Sequence, residues 1–188
     1  MKRVLSTFMT MVILITLTAC GTSEKSAVIP QEEYNTLNDK YLLYGTILAY
    51  TWSDAEELMP DFFPTYYALY FLHNGGTSSA EWENAMYMPQ EDVEAMVQSH
   101  FDVSIDFLRS GSDYRPEKEA YEFYGIGSAA YTQVTSAEQN GTLLTIHYDM
   151  LNPVDELIAQ GSVVIEVNGE NYKYVSNTTT QDPHNTGV

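Results

Sequence analysis

Apolar side chains recur at helical spacing through the first part of the chain and at alternate positions after it, and the period changes just beyond Arg115-Pro116. Tyr34, Leu37, Tyr41, Tyr44 and Leu48 follow one another at intervals of 3, 4, 3 and 4, which predicts a helix over residues 31–50 led in by Pro30. Its stripe is rich in tyrosine, as suits a core face whose hydroxyls reach the rim. Ser53-Asp54-Ala55-Glu56 has the form of a capping box and predicts a short turn that stops before Pro60. Residues 62–73 are apolar nearly all round, Asp61 can cap them and Asn74-Gly75-Gly76 ends them, so this helix belongs at the centre of a helical layer. A loop is expected over 75–88. Pro89 opens a helix that carries Val93, Met96, Val97 and His100 on one face and ends near Phe101, and Ser104 caps one more turn over 105–109.

The later pattern is that of strands. They are predicted over 120–124, 129–135 and 142–149, the third with Leu144, Ile146 and Tyr148 on one face and Thr145, His147 and Asp149 on the other. Asn140-Gly141 supplies the turn before it. Asn152-Pro153 reads as the start of a short helix ending at Gly161, and strands over 162–167 and 172–176 follow, joined through Asn168-Gly169. Helices first and strands second predict an α+β domain in which N-terminal helices pack on a C-terminal curved antiparallel sheet of about five strands. The build resembles that of cystatin-like and nuclear-transport-factor-2-like domains, at the level of architecture alone.

The start of the chain has a different character. Lys2 and Arg3 precede an apolar run over residues 4–17, short for a permanent membrane span, and small residues close it. Leu17-Thr18-Ala19-Cys20 resembles the lipobox of bacterial lipoproteins. The resemblance implies a signal peptide over 1–19 that is removed, lipid on Cys20, and a membrane-anchored protein on the extracytoplasmic face. The rest of the chain also looks like uncharacterised lipoproteins of Gram-positive bacteria. Residues 20–29 are then the lipidated cysteine and a flexible tether, 30–177 one domain, and 178–188 a disordered tail.

Charge narrows the range of partners. The formal net charge is −18, and removal of Lys2 and Arg3 would take it to −20. A surface of that sign is repelled by phosphate backbones and anionic headgroups, so nucleic acid is not expected as a partner. Cys20 is the only cysteine, so there is no internal disulfide and, once lipidated, no thiol nucleophile. Burial must hold the fold, and 15 Tyr, 7 Phe and 2 Trp supply large side chains for it.

Candidate chemistry is sparse. His147 and Asp149 lie two apart on one strand face, a spacing from which a base and its orienting carboxylate, or two metal ligands, can be built. No Ser, Cys or third ligand joins them in a recognisable pattern. Trp52, Trp82 and Tyr87 fall outside the regular stripes and are candidate stacking surfaces for a sugar or peptide. His73 and His100 fall at helix ends, where capping or core roles suffice. Asp149, Asn152, Asp155 and Glu156 form the densest oxygen cluster, without the spacing of a calcium loop. Gly125-Ile126-Gly127 is a turn, and motifs for nucleotide binding, α/β-hydrolases and zinc proteases are absent from the sequence. No cofactor is expected. The sequence therefore points to a non-catalytic binding or interaction domain whose partner is an envelope protein or a cell-wall component. The alternative is a small hydrolytic or metal-dependent enzyme using His147 and Asp149.

Overall fold

The computed structural model describes residues 26–42, 47–76, 87–124 and 130–180. Helices α1 (Tyr34–Leu37), α2 (Phe62–His73), α3 (Gln90–His100) and α4 (Ile105–Arg109) precede most of the strands, and the domain is α+β as the order of periods predicts. Five strands make the main antiparallel sheet: β1 (Ala27–Val28), β5 (Tyr131–Asn140), β6 (Leu143–Leu151), β7 (Leu157–Asn168) and β8 (Asn171–Thr179), in that spatial order. A smaller sheet pairs β2 (Tyr87–Pro89) with β4 (Ala120–Glu122) and β4 with β3 (Tyr114–Arg115).

The five-strand count is met by a partly different set of strands. The predicted strand over 120–124 is β4, in the small sheet, and its place in the main sheet is taken by β1. Residues 26–29 are thus part of the domain and not of the tether. Ala27 and Val28 pair with Gln139 and Glu138, and the Ile29 N–H donates to the Ala137 carbonyl at 2.9 Å. The free edge of β5 offers backbone partners that a tether in solvent would forgo. At the other end β8 runs to Thr179, so the domain extends past residue 177.

Residues 153–161 form no helix. The Asn152 side-chain oxygen accepts from the N–H groups of Val154 (3.0 Å) and Glu156 (2.9 Å), and the chain reverses at once into β7. An Asn at a helix start and an Asn folding a tight turn use the same acceptor, so the local sequence fits both. Within the described residues, the segment predicted as one long helix over 31–50 is a series of short turns of different pitch. A 3-10 turn over Gln31–Glu33, α1 and a π turn over Asn38–Leu42 follow one another, and a second 3-10 turn spans Ile47–Ala49. Carbonyls of the π turn bond to the sheet: that of Tyr41 accepts from the Tyr174 hydroxyl at 2.7 Å, that of Leu42 from Thr132 Oγ1 at 3.2 Å. Tyr44 lies outside the described residues.

Both main hairpins turn on a glycine with positive φ, Gly141 (60°) and Gly169 (67°), each at the first of two loop positions, where a right-twisted ribbon needs that conformation. Along β6 the alternation is as predicted: Leu144, Ile146, Tyr148 and Met150 are buried while His147 faces solvent. Against this inner face lie α2 and α3, in an aromatic seam. The Phe101 ring stacks on Tyr174 at 5.0 Å, and Tyr66 meets both edge-on at 4.9 and 5.9 Å.

Helix starts differ in detail from the sequence reading. Asp54, and not Ser53, caps the turn over Ala55–Glu57, accepting from the Glu56 N–H at 2.9 Å, while Glu57 reaches back to the Ser53 N–H. Asp61 makes no cap to α2; its carboxylate accepts from Ser112 Oγ at 2.7 Å and the Asp113 N–H at 3.1 Å. Ser104 does cap α4, through the Phe107 N–H at 3.2 Å. Met88, Val93, Val97 and Leu108 complete the core beneath the small sheet.

Candidate functional site

A concavity of about 450 Å³ opens where three elements meet at one end of the domain. Thr36, Asp39 and Lys40 come from α1 and the π turn, Tyr70, His73 and Asn74 from the end of α2, and Glu170 and Tyr172 from the β7–β8 turn and the start of β8. Each is placed by its local fold. The π turn widens the helix as it docks on the sheet, the Asn74 amide donates to the Tyr70 carbonyl at 2.8 Å to close α2, and Gly169 sharpens the turn that projects Glu170.

An aromatic stack underlies this cleft. Tyr172 lies flat on the His100 ring, centroids 4.3 Å apart at 17°, and meets the Tyr41 ring edge-on at 4.9 Å. His100 Nδ1 is 2.8 Å from the Tyr66 hydroxyl, and Tyr70 meets the imidazole at 5.1 Å. Burial pushes the His100 pKa down to about 4, so the ring is neutral at neutral pH and packs as an aromatic. Burial also drives the Tyr66 hydroxyl well above its ordinary value, so it stays protonated. The Lys40 ammonium sits 5.0 Å from the Tyr41 centroid and 5.8 Å from that of Tyr172. The cleft thus presents a fixed aromatic floor, two exposed carboxylates, an amide, a hydroxyl and one cation.

The residues singled out in the sequence do not assemble into one site. His147 and Asp149 share the outer face of β6 as predicted, with His147 opposite Ser136 and Ser162. That face is open, and the Asp149 carboxylate accepts from Gln160 Nε2 at 2.8 Å and not from His147. Trp52 is a core residue, 2% exposed, with its indole N–H donating to the Ile47 carbonyl at 2.9 Å, and a ring so covered offers no stacking face. Tyr87 is half-buried beside a second cleft of about 430 Å³, where the Lys118 ammonium lies 4.1 Å from its ring centroid. Cys20, Trp82 and Gly125-Ile126-Gly127 lie outside the described residues.

The oxygen cluster is occupied internally. Asn152 serves its turn and donates to Glu156 at 3.0 Å, and Asp155 accepts from the Tyr131 hydroxyl. Among the described residues no three His, Cys, Asp or Glu side chains are grouped to hold a metal ion. His100 is the buried core histidine expected, while His73 lines the cleft. Asp39, Lys40, Tyr70, Asn74, Glu170 and Tyr172 carried no signal in the sequence, because they lie on three elements far apart in the chain.

Fold and cleft together define an aromatic-cored α+β domain with an open cleft lined by both polar and aromatic groups. Its family is one whose function is unassigned: the chain belongs to DUF6070, described as a family of unknown function, whose model matches residues 24–187. No curated protein and no solved structure matches the chain. Among the described residues no helix is long and apolar enough to cross a membrane.

Proposed function

We propose that this chain is a lipid-anchored domain on the extracytoplasmic face of the membrane, which binds an envelope protein or a cell-wall component without catalysing a reaction. The observation that carries the reading is Leu17-Thr18-Ala19-Cys20 closing the apolar run over residues 4–17. The start of the domain supports it. Ala27 pairs with Gln139 in the main sheet only seven residues after Cys20, so a tether from that cysteine reaches about 25 Å when fully extended. Such a tether keeps the domain close to the bilayer, and the net charge keeps anionic headgroups from adhering to it.

The geometry of the cleft suits binding. Its polar groups come from rigid elements and surround an aromatic floor. The test is Cys20→Ala with membrane fractionation and intact-mass spectrometry. Wild-type protein is expected in the membrane fraction with acyl mass on a chain beginning at Cys20, and the variant is expected released or uncleaved. Full membrane retention of a C20A variant processed like the wild type would sink the reading.

A further inference from the structure

We propose that the cleft between α1, the end of α2 and the β7–β8 turn binds one pyranose ring of an uncharged glycan. This names a ligand class for the binding role proposed above and rests on that role. Sugars present C–H faces that lie against aromatic rings and hydroxyls that need acceptors around their rim. Tyr70 is half-buried and borders the opening, while Tyr172 behind it is held flat on His100 at 4.3 Å. The carboxylates of Asp39 and Glu170 are exposed on opposite elements and can accept hydrogen bonds from sugar hydroxyls. The Asn74 amide nitrogen is engaged with the Tyr70 carbonyl, and its oxygen is left to accept.

Competing chemistries fit less well. Two carboxylates face a single lysine ammonium in a protein of strongly negative charge, which disfavours phosphate and other anions. A purely apolar ligand would strip water from Asp39, Glu170 and Lys40 without replacing its hydrogen bonds. The floor is preorganised: Tyr172 is fixed between His100 and Tyr41, and Glu170 follows Gly169, whose φ of 67° sharpens the turn. Binding therefore orders few side chains, which favours even a small ligand. The cleft also lies at the end of the sheet from which residue 26 leaves, since Ala27 pairs beside the β5–β6 turn and Glu170 lies in the β7–β8 turn at the same end. The sugar could belong to a wall glycan or to a glycolipid headgroup, and the recognition chemistry is shared.

The test is saturation-transfer NMR on the full chain in detergent micelles, with cellotetraose, the tetramer of N-acetylglucosamine, and vesicles carrying a diglycosyl diacylglycerol. Transfer to ring C–H protons of at least one sugar is expected. Asp39→Ala with Glu170→Ala should weaken binding at least tenfold, and Tyr70→Ser should abolish transfer, with unchanged circular dichroism. His147→Ala on the outer sheet face should leave binding intact. Binding of the tetramers assigns the source to a glycan strand, and binding of the vesicles alone assigns it to a headgroup; either supports the site. No transfer from any of the three, or transfer undiminished in the D39A/E170A variant, overturns it. The C20A fractionation is independent of this outcome, so failure of the anchor and failure of the sugar site are read separately.

Discussion

The Tyr148 hydroxyl lies 2.9 Å from the Asn177 side-chain oxygen and 2.9 Å from the Leu48 carbonyl, joining two strands of the sheet to the irregular segment that crosses it. Asn177 has no exposed surface, and its amide nitrogen donates to the Leu48 carbonyl at 3.1 Å and the Tyr50 carbonyl at 2.7 Å. Its backbone meanwhile exchanges two 2.9 Å hydrogen bonds with Trp52. One side chain thus satisfies carbonyls that no helix or strand serves. Asn177→Leu should cost about 2–4 kcal/mol, because it strands the Tyr50 carbonyl and leaves the Leu48 carbonyl to the Tyr148 hydroxyl alone, and should lower the midpoint by roughly 5–10 °C. A loss below about 1 kcal/mol in urea unfolding would show that water replaces the amide.

Gly161 stands opposite Tyr148 on the neighbouring strand, and a Cβ there would overlap the Tyr148 ring. The ring is not free to swing aside, since its hydroxyl is fixed to Leu48 and Asn177. Gly161→Ala is therefore expected to destabilise by about 1–3 kcal/mol, against the usual gain in propensity within a strand. Combination with Tyr148→Phe, which frees the hydroxyl end, should relieve part of the clash, giving less than additive costs in a double-mutant cycle. Additive costs would rule out the overlap.

How much of this was legible in the sequence depends on the range of the interactions involved. The faces of β6, the apolar α2 and the cap at Ser104 are set by neighbours within a few residues, and they were read correctly. The α+β order followed from the change of period. What was missed depends on distant partners: β1 exists because the β5 edge is open, and in the π turn after α1 Thr132 and Tyr174 take the carbonyls of Leu42 and Tyr41. Trp52 looked available because it fell outside any stripe, whereas its burial comes from pairing with Asn177, 125 positions later (177 − 52). The cleft joins Asp39, Tyr70 and Glu170, and no local pattern brings these together.

Glu94 is a buried carboxylate, 6% exposed, on α3. Arg109 of α4 holds it with two hydrogen bonds of 2.6 and 2.9 Å, and the Tyr121 hydroxyl donates to it at 3.1 Å. This arrangement fastens α4 and the small sheet to α3. Arg109→Ala leaves the carboxylate buried with one partner and should lower the unfolding midpoint; adding Glu94→Leu removes the stranded charge and should recover part of the loss. Thermal unfolding of the two variants checks this, and an R109A/E94L protein less stable than R109A alone would contradict it.

The pH dependence of stability should report His100. The ring lies among Tyr66, Tyr70 and Tyr172, and burial lowers its pKa from the ordinary 6.5 to about 4. Above pH 6.5 both folded and unfolded states hold it neutral, and it contributes nothing to the slope. Between pH 6.5 and 4 the unfolded chain takes up a proton that the folded one refuses, so stability falls with pH, by about 2 kcal/mol after allowance for solvent screening. Below pH 4 the slope from this residue vanishes. Hydrogen bonds from Ser104, Ser53 and Tyr124 lower the carboxyls of Glu56, Glu57 and Glu122, and their stabilisation is lost at still lower pH. Asp113 acts oppositely, because burial raises its carboxyl, and its contribution grows as pH falls. His100→Phe keeps the stack on Tyr172 and removes the titration. Urea unfolding from pH 7.5 to 4.5 should therefore show the wild type losing the excess stability while H100F does not. Parallel curves for the two proteins would place the acid sensitivity elsewhere.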